Sequence, residues 1–229
     1  MADQRPELEW REGAVPISTR FDDPYFSLDD GLEETRHVFL AGNALPSRFA
    51  SGFHIAELGF GTGLNLLVAL HAWRAAGIPG RLHFTSFEAF PLAKADMIRA
   101  QRAFPALAPL TEDLAPLWPE APNAQGLRHL ETPDLSFTLI EGDARETLPA
   151  WRGSADAWFL DGFAPARNPE LWEEGLLHQV FAHTVPGGTA ATYTAAGAVR
   201  RALSTAGFAV ERTPGFGRKR HMTVARRAP

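Results

Sequence analysis

From Phe53 onward, short apolar runs alternate with longer amphipathic runs, whereas the first forty residues are polar and acidic. Short apolar runs between turn residues are typical of buried strands, and runs with apolar positions three or four apart are typical of helices. The pattern predicts strands at 53–58, 82–87, 127–131, 135–140, 157–160, 189–194, 208–212 and 221–225. It predicts helices at 32–40, 64–76, 92–104, 145–150, 170–183 and 198–206, and it leaves 105–125 unassigned.

This alternation favours an α/β fold with a mostly parallel sheet, because parallel neighbours are joined by right-handed helical crossovers that cover both faces. In such sheets, ligands bind beyond the carboxyl ends of the strands, where the strand order reverses. The residues that directly follow each predicted strand are therefore the first candidates for a functional site.

The first strand runs into a glycine-rich turn, ELGFGTGLN at 57–65. Glycines permit a tight turn and bring backbone N–H groups close to a ligand at a helix start. The dinucleotide motif G-x-G-x-x-G is absent, because its third glycine position holds Leu64. The spacing acid-x-G-x-G-x-G resembles instead the glycine loop of S-adenosylmethionine-dependent methyltransferases. The alternative is an ordinary strand-to-helix turn that needs glycines. The candidate cofactor-binding residues are Glu57 (facing the methionyl ammonium), Gly59, Phe60, Gly61, Thr62, Gly63 and Asn65.

Acids also follow the next two strands. Glu88, 25 residues beyond Gly63, is placed to accept hydrogen bonds from ribose hydroxyls. Asp143 can accept from an adenine amino group while Ala144 donates from its backbone, but Asp143 is equally well explained as a helix N-cap. Both positions are candidate cofactor contacts.

The strand 157–160 leads into the loop DGFAPARNP at 161–169. The strand places the Asp161 carboxylate at the edge of the sheet where ligands bind. Gly162 has no side chain to shield this carboxylate, and the prolines stiffen the loop. Methyltransferases that act on nitrogen place an acid or amide here to hold the amine. Asp161 is therefore the candidate catalytic residue, and a helix-capping role is less favoured because Asp161 lies nine residues before the predicted helix at 170.

Composition narrows the classes of function. The 229 residues include no Cys, which excludes disulfides, thiolate zinc sites and cysteine nucleophiles. The eight His residues show no metal-ligand spacing, so we expect no metal. No apolar stretch suits a bilayer span and no signal peptide is evident, so we expect a cytoplasmic protein without a membrane partner.

The net charge of −5 is unevenly distributed, because residues 196–229 hold 8 basic side chains and 1 acidic one. The segment includes Arg218, Lys219 and Arg220 between glycines and a histidine. Such a run is usually a solvated face, but it can also contact nucleic-acid phosphates.

The combined strings FDDPYFS, GLEETRHVFL, ELGFGTGLN, SFEAFPL, WFLDGFAPARNPELW, TAAGAVRRAL, AGF and GFGRKRHM resemble the methyltransferase domain of the bifunctional tRNA-modification enzymes of the MnmC family. The resemblance runs from about Phe21 to Met222. It implies a Rossmann-like class I S-adenosylmethionine-dependent methyltransferase fold with a seven-stranded sheet over 51–229. It also implies an extension, 1–50, that packs over the cofactor and brings Tyr25 and Glu33 to it.

The resemblance further implies methylation of 5-aminomethyl-2-thiouridine at the tRNA wobble position to 5-methylaminomethyl-2-thiouridine. Phe163 and Pro165 would then meet the target base, while Arg218, Lys219 and Arg220 would contact the anticodon stem-loop. The bifunctional enzymes continue into a flavin-dependent oxidase domain, whereas this sequence stops at Pro229. The resemblance is compatible with a stand-alone methyltransferase, for which a separate oxidase or other enzyme would supply the aminomethyl group, and with an excised domain. Alternatives are a methyltransferase for a small-molecule amine and a non-catalytic RNA-binding protein on the same scaffold.

Overall fold

The computed structural model describes residues 6–11, 15–27 and 30–229. The strands are β1 Leu8–Arg11, β2 Val15–Ser18, β3 Asp23–Pro24, β4 His54–Leu58, β5 Leu82–Glu88, β6 Leu127–Glu131, β7 Leu135–Glu141, β8 Ala155–Leu160, β9 Thr184–Thr192, β10 Ala209–Pro214 and β11 His221–Arg226. The α-helices are α1 Gly31–Thr35, α2 Leu64–Ala76, α3 Lys94–Gln101, α4 Ala108–Leu114, α5 Ala144–Ala150, α6 Glu174–Ala182 and α7 Gly197–Ala206. None of these described helices is long and apolar enough to span a bilayer.

The main sheet has the strand order β10-β11-β9-β8-β4-β5-β7-β6. The five strands from β9 to β7 pair in parallel, whereas β6, β10 and β11 pair antiparallel to their neighbours. The sheet therefore has eight strands, and the prediction of seven was wrong. The additional strand is an edge strand: the short turn at Thr132–Asp134 folds β6 back against β7, and its residues alternate between buried and exposed.

Two hydrophobic clusters show how the sheet is covered. One gathers residues of α2 and α4 with Ile55 of β4, and the other gathers residues of α6 and α7 with Ala56 and Leu58 of the same strand. Since successive strand residues face opposite sides, this division places helices on both faces, as the apolar pattern predicts.

The N-terminal segment adds a separate three-stranded antiparallel sheet, β1-β2-β3. Helix α1 continues into a π-helical stretch, Arg36–Leu40, whose Val38, Phe39 and Leu40 are buried in the main core. This run fixes α1 and the preceding chain beside the carboxyl edge of the sheet.

Two predicted helices are shorter in the structure. The helix expected at 92–104 covers only Lys94–Gln101. The one expected at 170–183 is interrupted at Glu173, whose ψ of 144° is extended, so a 3₁₀ turn Pro169–Trp172 precedes α6. The unassigned proline-rich segment contains α4, which is flanked by 3₁₀ turns.

Candidate active site

A cavity of about 880 Å³ lies beyond the carboxyl ends of the parallel strands, on either side of β4. Small-molecule sites typically have volumes of about 300–1,000 Å³. Residues of β3 and α1 line one side, so the N-terminal segment helps to enclose it. The sequence-predicted residues that line it are Tyr25, Gly59, Phe60, Gly61, Thr62, Asn65, Glu88, Asp143, Ala144, Asp161, Phe163, Arg218 and Lys219.

The glycine turn between β4 and α2 has a backbone that other residues adopt only with strain. Gly59, Gly61 and Gly63 have φ angles of +81°, +54° and +74°. A Cβ on Gly59 would lie 3.0 Å from Cα of Gly162, and one on Gly61 would lie 3.1 Å from the Tyr25 ring. The glycines therefore allow three segments of chain to meet at the cavity floor.

Glu88, at the end of β5, fixes this turn. Its Oε2 accepts a hydrogen bond from Gly61 N at 3.0 Å, and its Oε1 accepts one from Phe90 N at 2.8 Å. Burial raises the pKa of Glu88, and the backbone donors partly offset that effect. Glu88 therefore fixes the loop while also lining the cavity.

Asn65 joins two buried carboxylates. Its Nδ2 donates to Glu57 Oε1 at 2.8 Å and to Asp161 Oδ2 at 2.7 Å, while Ser86 Oγ donates to Glu57 Oε2 at 2.7 Å. Glu57 is fully buried, which raises the pKa of its carboxyl well above the usual range. Glu57 does not line the cavity, so in this arrangement it orients Asn65, and Asn65 and Asp161 reach the ligand space.

Asp161 follows β8 and has two fixed hydrogen bonds. In addition to the Asn65 bond, its Oδ1 accepts from Gly162 N at 2.8 Å. Burial raises the pKa of Asp161 to about 6, against the lowering effect of these hydrogen bonds and of the Lys219 charge. At pH 7 such a carboxyl is roughly nine-tenths ionised. The cavity thus contains a positioned carboxylate whose proton affinity is higher than that of an ordinary aspartate.

Aromatic rings stand beside this carboxylate. Phe163 stacks on Phe21 with ring centroids 4.6 Å apart and meets Tyr25 edge-on at 5.1 Å. On the other side, Tyr193 Oη donates to the Gly162 carbonyl at 2.9 Å. The acid is therefore held between an aromatic wall and a rigid loop.

Asp143 lies where β7 meets α5. Its Oδ1 accepts from Arg145 N at 2.9 Å, which is the N-cap bond of the helix. Its side chain also pairs with Arg145 Nη2 at 2.7 Å, and hydrogen bonding to Arg145 lowers the pKa of Asp143. Since Asp143 and Ala144 also line the cavity, the capping position and the predicted cofactor position coincide.

Besides Glu57, the sequence-predicted residues that do not line the cavity are Glu33, Gly63, Pro165 and Arg220. Glu33 pairs instead with Arg36 on its own helix. Gly63 is the N-cap residue of α2. The cofactor or substrate contacts predicted for these residues stay predictions, and their positions give them no direct contact with the ligand space.

Asp23, Glu34 and Tyr193 are among the polar lining residues that were not predicted from the sequence. Tyr193 directly follows β9, so the rule that chemistry follows strand ends would have found it had the strand been predicted to end at Thr192. Glu34 differs from Glu33 only in its position around the helix. Asp23 Oδ2 accepts from Ala164 N at 3.0 Å and ties the N-terminal segment to the Asp161 loop, a long-range contact without a local sequence signal.

The doubly wound sheet, the glycine turn and the acids at the strand ends define a class I S-adenosylmethionine-dependent methyltransferase. A family model described as S-adenosyl-L-methionine-dependent methyltransferase matches residues 105–228, and the chain belongs to this family. The fold is also similar to that of TrmN from Thermus thermophilus, with a TM-score of 0.50 and 18% identity over 82% of this chain and 47% of that one. The predicted fold class is thus confirmed, apart from the strand number.

More specific similarity is to MnmC proteins. The tRNA 5-methylaminomethyl-2-thiouridine biosynthesis bifunctional protein MnmC of Caulobacter sp. strain K31 is 47% identical over 95% of this chain and 38% of its own length. The same-named protein of Marinobacter nauticus is 47% identical over 96% of this chain and 36% of its own length. The crystal structure of MnmC2 from Aquifex aeolicus matches with a TM-score of 0.78 and 29% identity over 98% of this chain and 71% of that one. The predicted resemblance is confirmed, and the chain spans little more than a third of these two curated relatives.

The cavity fits S-adenosylmethionine, the cofactor predicted from the sequence and confirmed by the family. The glycine turn lines the cavity and, lacking a Cβ at Gly59, packs directly against Gly162, while Glu88 lines the cavity at the end of β5. Asp143 and Ala144 line the cavity at the end of β7. The glycine turn, Glu88 and the Asp143–Ala144 pair would together hold the cofactor next to Asp161, with Glu88 at its ribose and Asp143 and Ala144 at its adenine.

Proposed function

We propose that this chain catalyses S-adenosylmethionine-dependent N-methylation of the aminomethyl group of 5-aminomethyl-2-thiouridine at the tRNA wobble position, producing 5-methylaminomethyl-2-thiouridine. The observation that carries the proposal is the partly buried Asp161 carboxylate, which lines the same cavity as the glycine turn and the ring of Phe163. The 47% identity to a protein named for 5-methylaminomethyl-2-thiouridine biosynthesis supports the choice of acceptor.

The acceptor nitrogen must present a free lone pair. A primary alkylamine has a pKa near ~10 and is mostly protonated in water at pH 7. Burial in the cavity lowers the amine's pKa, whereas the Asp161 carboxylate raises it. Bound S-adenosylmethionine supplies an electrophilic methyl group on a sulfonium sulfur. Asp161 orients the amine and stabilises the positive charge that develops as nitrogen gains its fourth bond.

The raised pKa of Asp161, about 6, suits it to receive a proton from the nitrogen better than an ordinary aspartate would. Asn65 and Gly162 N–H hold both carboxylate oxygens, so the group keeps one orientation while its charge changes. Asp161 therefore has an electrostatic role throughout the reaction and a proton-accepting role at its end.

The stacked pair of Phe163 and Phe21 offers an aromatic face to the target base. Proteins commonly recognise single-stranded RNA by stacking unpaired bases on such rings. Arg218 and Lys219 line the cavity and Arg220 is exposed beside them, which supports a role for these cations in contacting the phosphates of an anticodon stem-loop.

A methylation assay on hypomodified tRNA tests the proposal. Total tRNA from cells lacking this modification is incubated with the chain and S-adenosylmethionine, then digested and analysed by nucleoside mass spectrometry. We expect 5-methylaminomethyl-2-thiouridine to appear with the wild type and with Arg81→Met, which removes a remote, exposed ion pair. We expect it to be absent with Asp161→Asn. Methylation of free amines but not of tRNA would overturn the proposal in favour of a small-molecule methyltransferase, and cofactor binding without any transfer would favour a non-catalytic RNA-binding protein.

A further inference from the structure

Lys219 extends into the candidate active site. It lies in the turn between β10 and β11, and it is one of only two lysines among the 22 basic residues, the other being Lys94. Its Nζ donates to Glu34 Oε1 at 2.7 Å and lies 4.2 Å from the centroid of the Tyr193 ring. The contact joins segments 185 residues apart.

The groups around this ammonium come from three further elements. Glu34 belongs to α1 and has a side chain only 14% exposed, Tyr193 follows β9, and Asp161 follows β8. All three line the same cavity as Lys219. The Lys219 charge lowers the pKa of Asp161, so the ammonium lies within electrostatic reach of the second carboxylate as well.

A carboxylate combined with an aromatic face is a favourable environment for an alkylammonium ion. The ring quadrupole attracts the cation, and the carboxylate accepts its N–H bonds. The lysine side chain ends in a primary alkylammonium with three donors. The ammonium group of Lys219 therefore occupies a position that also suits a separate ligand with a primary ammonium group.

We propose that Glu34, Tyr193 and Asp161 form a binding site for a primary alkylammonium, and that Lys219 holds this site and yields it to an incoming ligand. As the site where the acceptor amine first binds, before it gives up a proton and presents its lone pair, it rests on the function proposed above. The methionyl ammonium of the cofactor has the same chemistry, and the experiment separates these two sources.

This exchange leaves the net charge of the site unchanged, because one ammonium group replaces another. An entering alkylammonium replaces the Lys219 contacts with its own bond to Glu34 and its own approach to the Tyr193 ring. The released Lys219, already 46% exposed, turns to solvent on the same face as the exposed Arg218 and Arg220. Entry of the amine thereby adds a cation to the face proposed to meet phosphates, so that amine binding and RNA binding reinforce each other.

The presence of only two lysines makes the exchange observable by NMR. Protein labelled with ¹³C at lysine Cε shows two side-chain signals, which Lys219→Met assigns. Lys94 is the internal reference, because its Nζ lies 3.0 Å from Glu120 Oε1 and it does not line the cavity. The titrants are propylammonium chloride, propanol, and sodium chloride at matched ionic strength.

We expect propylammonium to shift the Lys219 signal saturably towards that of a solvated lysine, and propanol and sodium chloride to leave it in place. Glu34→Gln should place the Lys219 signal near that of a solvated lysine before titration and remove most of its response to propylammonium, since Lys219 and the titrant lose the same carboxylate partner. Glu131→Gln, at a remote acid, should change neither the signal nor its response. An unmoved Lys219 signal, or an equal response in Glu34→Gln, would overturn the proposal; the wild-type titration decides the matter even if a variant fails to fold.

Repeating the titration with S-adenosylhomocysteine distinguishes the two sources of ammonium. If the site belongs to the acceptor, S-adenosylhomocysteine alone leaves Lys219 in place and propylammonium still displaces it. If S-adenosylhomocysteine alone displaces Lys219, the site serves the amino-acid end of the cofactor. Neither readout requires methyl transfer, so failure of the tRNA assay and failure of this proposal are separate results.

Discussion

Replacing Asp161 with Asn should stabilise the protein at neutral pH while abolishing methyl transfer. Burial raises the pKa of Asp161 from 3.8 to about 6. Each pKa unit corresponds to ~1.4 kcal/mol, so the ionised carboxylate costs the folded state up to about 3 kcal/mol. Asp161 is partly exposed to the cavity, which makes this figure an upper bound.

The amide that replaces the carboxylate introduces an opposing effect. Its NH₂ group must face either Gly162 N–H or Asn65 Nδ2, both of which are donors. One lost hydrogen bond costs about 1 kcal/mol. We therefore expect Asp161→Asn to raise the free energy of unfolding by about 1–2 kcal/mol at pH 7.5.

The stability difference between Asp161→Asn and wild type should depend on pH, and its direction follows from the raised pKa of Asp161. Because the folded-state pKa is raised, the stabilisation from protonating Asp161 is fully present below ~3.8, and it is lost as the pH rises through about 6. The advantage of the variant should thus disappear near pH 4.5, where wild-type Asp161 is protonated in the folded state. Other titrating groups are common to both proteins and largely cancel in the difference.

Urea unfolding at pH 7.5 and pH 4.5 measures both effects. Asp113→Asn is the matched control, since its carboxylate is 59% exposed and pairs with Arg74 at the surface, and its removal should change stability by less than about 1 kcal/mol at either pH. A variant at Asp161 that is less stable than wild type at pH 7.5, or a difference that is equal at both pH values, would refute the reasoning. Greater stability with lost transfer would identify Asp161 as a residue at which stability is given up for function.

Two further predictions concern the cofactor and the RNA. Gly59→Ala should abolish S-adenosylmethionine binding measured by calorimetry, because its Cβ would lie 3.0 Å from Cα of Gly162. Gly77→Ala, with a φ of +63° and nothing within 4 Å of its Cβ, should lose only about 1 kcal/mol of stability and still bind. Equal binding by both variants would contradict the role given to the glycine turn. Arg218→Glu should weaken tRNA binding and make the slope of log affinity against log salt concentration shallower by about 1, whereas Arg81→Glu should change neither. Identical slopes for the two variants across a salt series would exclude Arg218 from phosphate contact.

The parts of the site carried by local sequence could be predicted. The glycine turn, Glu88, Asp143 and Asp161 each follow a strand whose apolar run is evident in the sequence, and parallel pairing brings those strand ends to one edge. Local spacing thus sufficed to predict which edge of the sheet carries the cavity.

The parts that depend on distant contacts could not be predicted. Asn65 was predicted as a cofactor contact, but its bridge between Glu57 and Asp161 requires the register of β4 against β8. The choice of Glu34 over Glu33 depends on how α1 is rotated against the sheet. By contrast, the eighth strand, β6, is among the strands that the apolar pattern predicts, and only the total of seven strands implied by the resemblance was wrong.

The most direct test of the proposed reaction compares two synthetic anticodon stem-loops that differ at one group. One carries 5-aminomethyl-2-thiouridine at the wobble position, and the other carries 5-methyl-2-thiouridine. With S-adenosylmethionine labelled in its methyl group, we predict that label enters only the first, and that it is recovered as 5-methylaminomethyl-2-thiouridine after digestion. Label in neither stem-loop, or equal label in both, would contradict the proposal that this chain methylates the aminomethyl nitrogen of a tRNA wobble uridine.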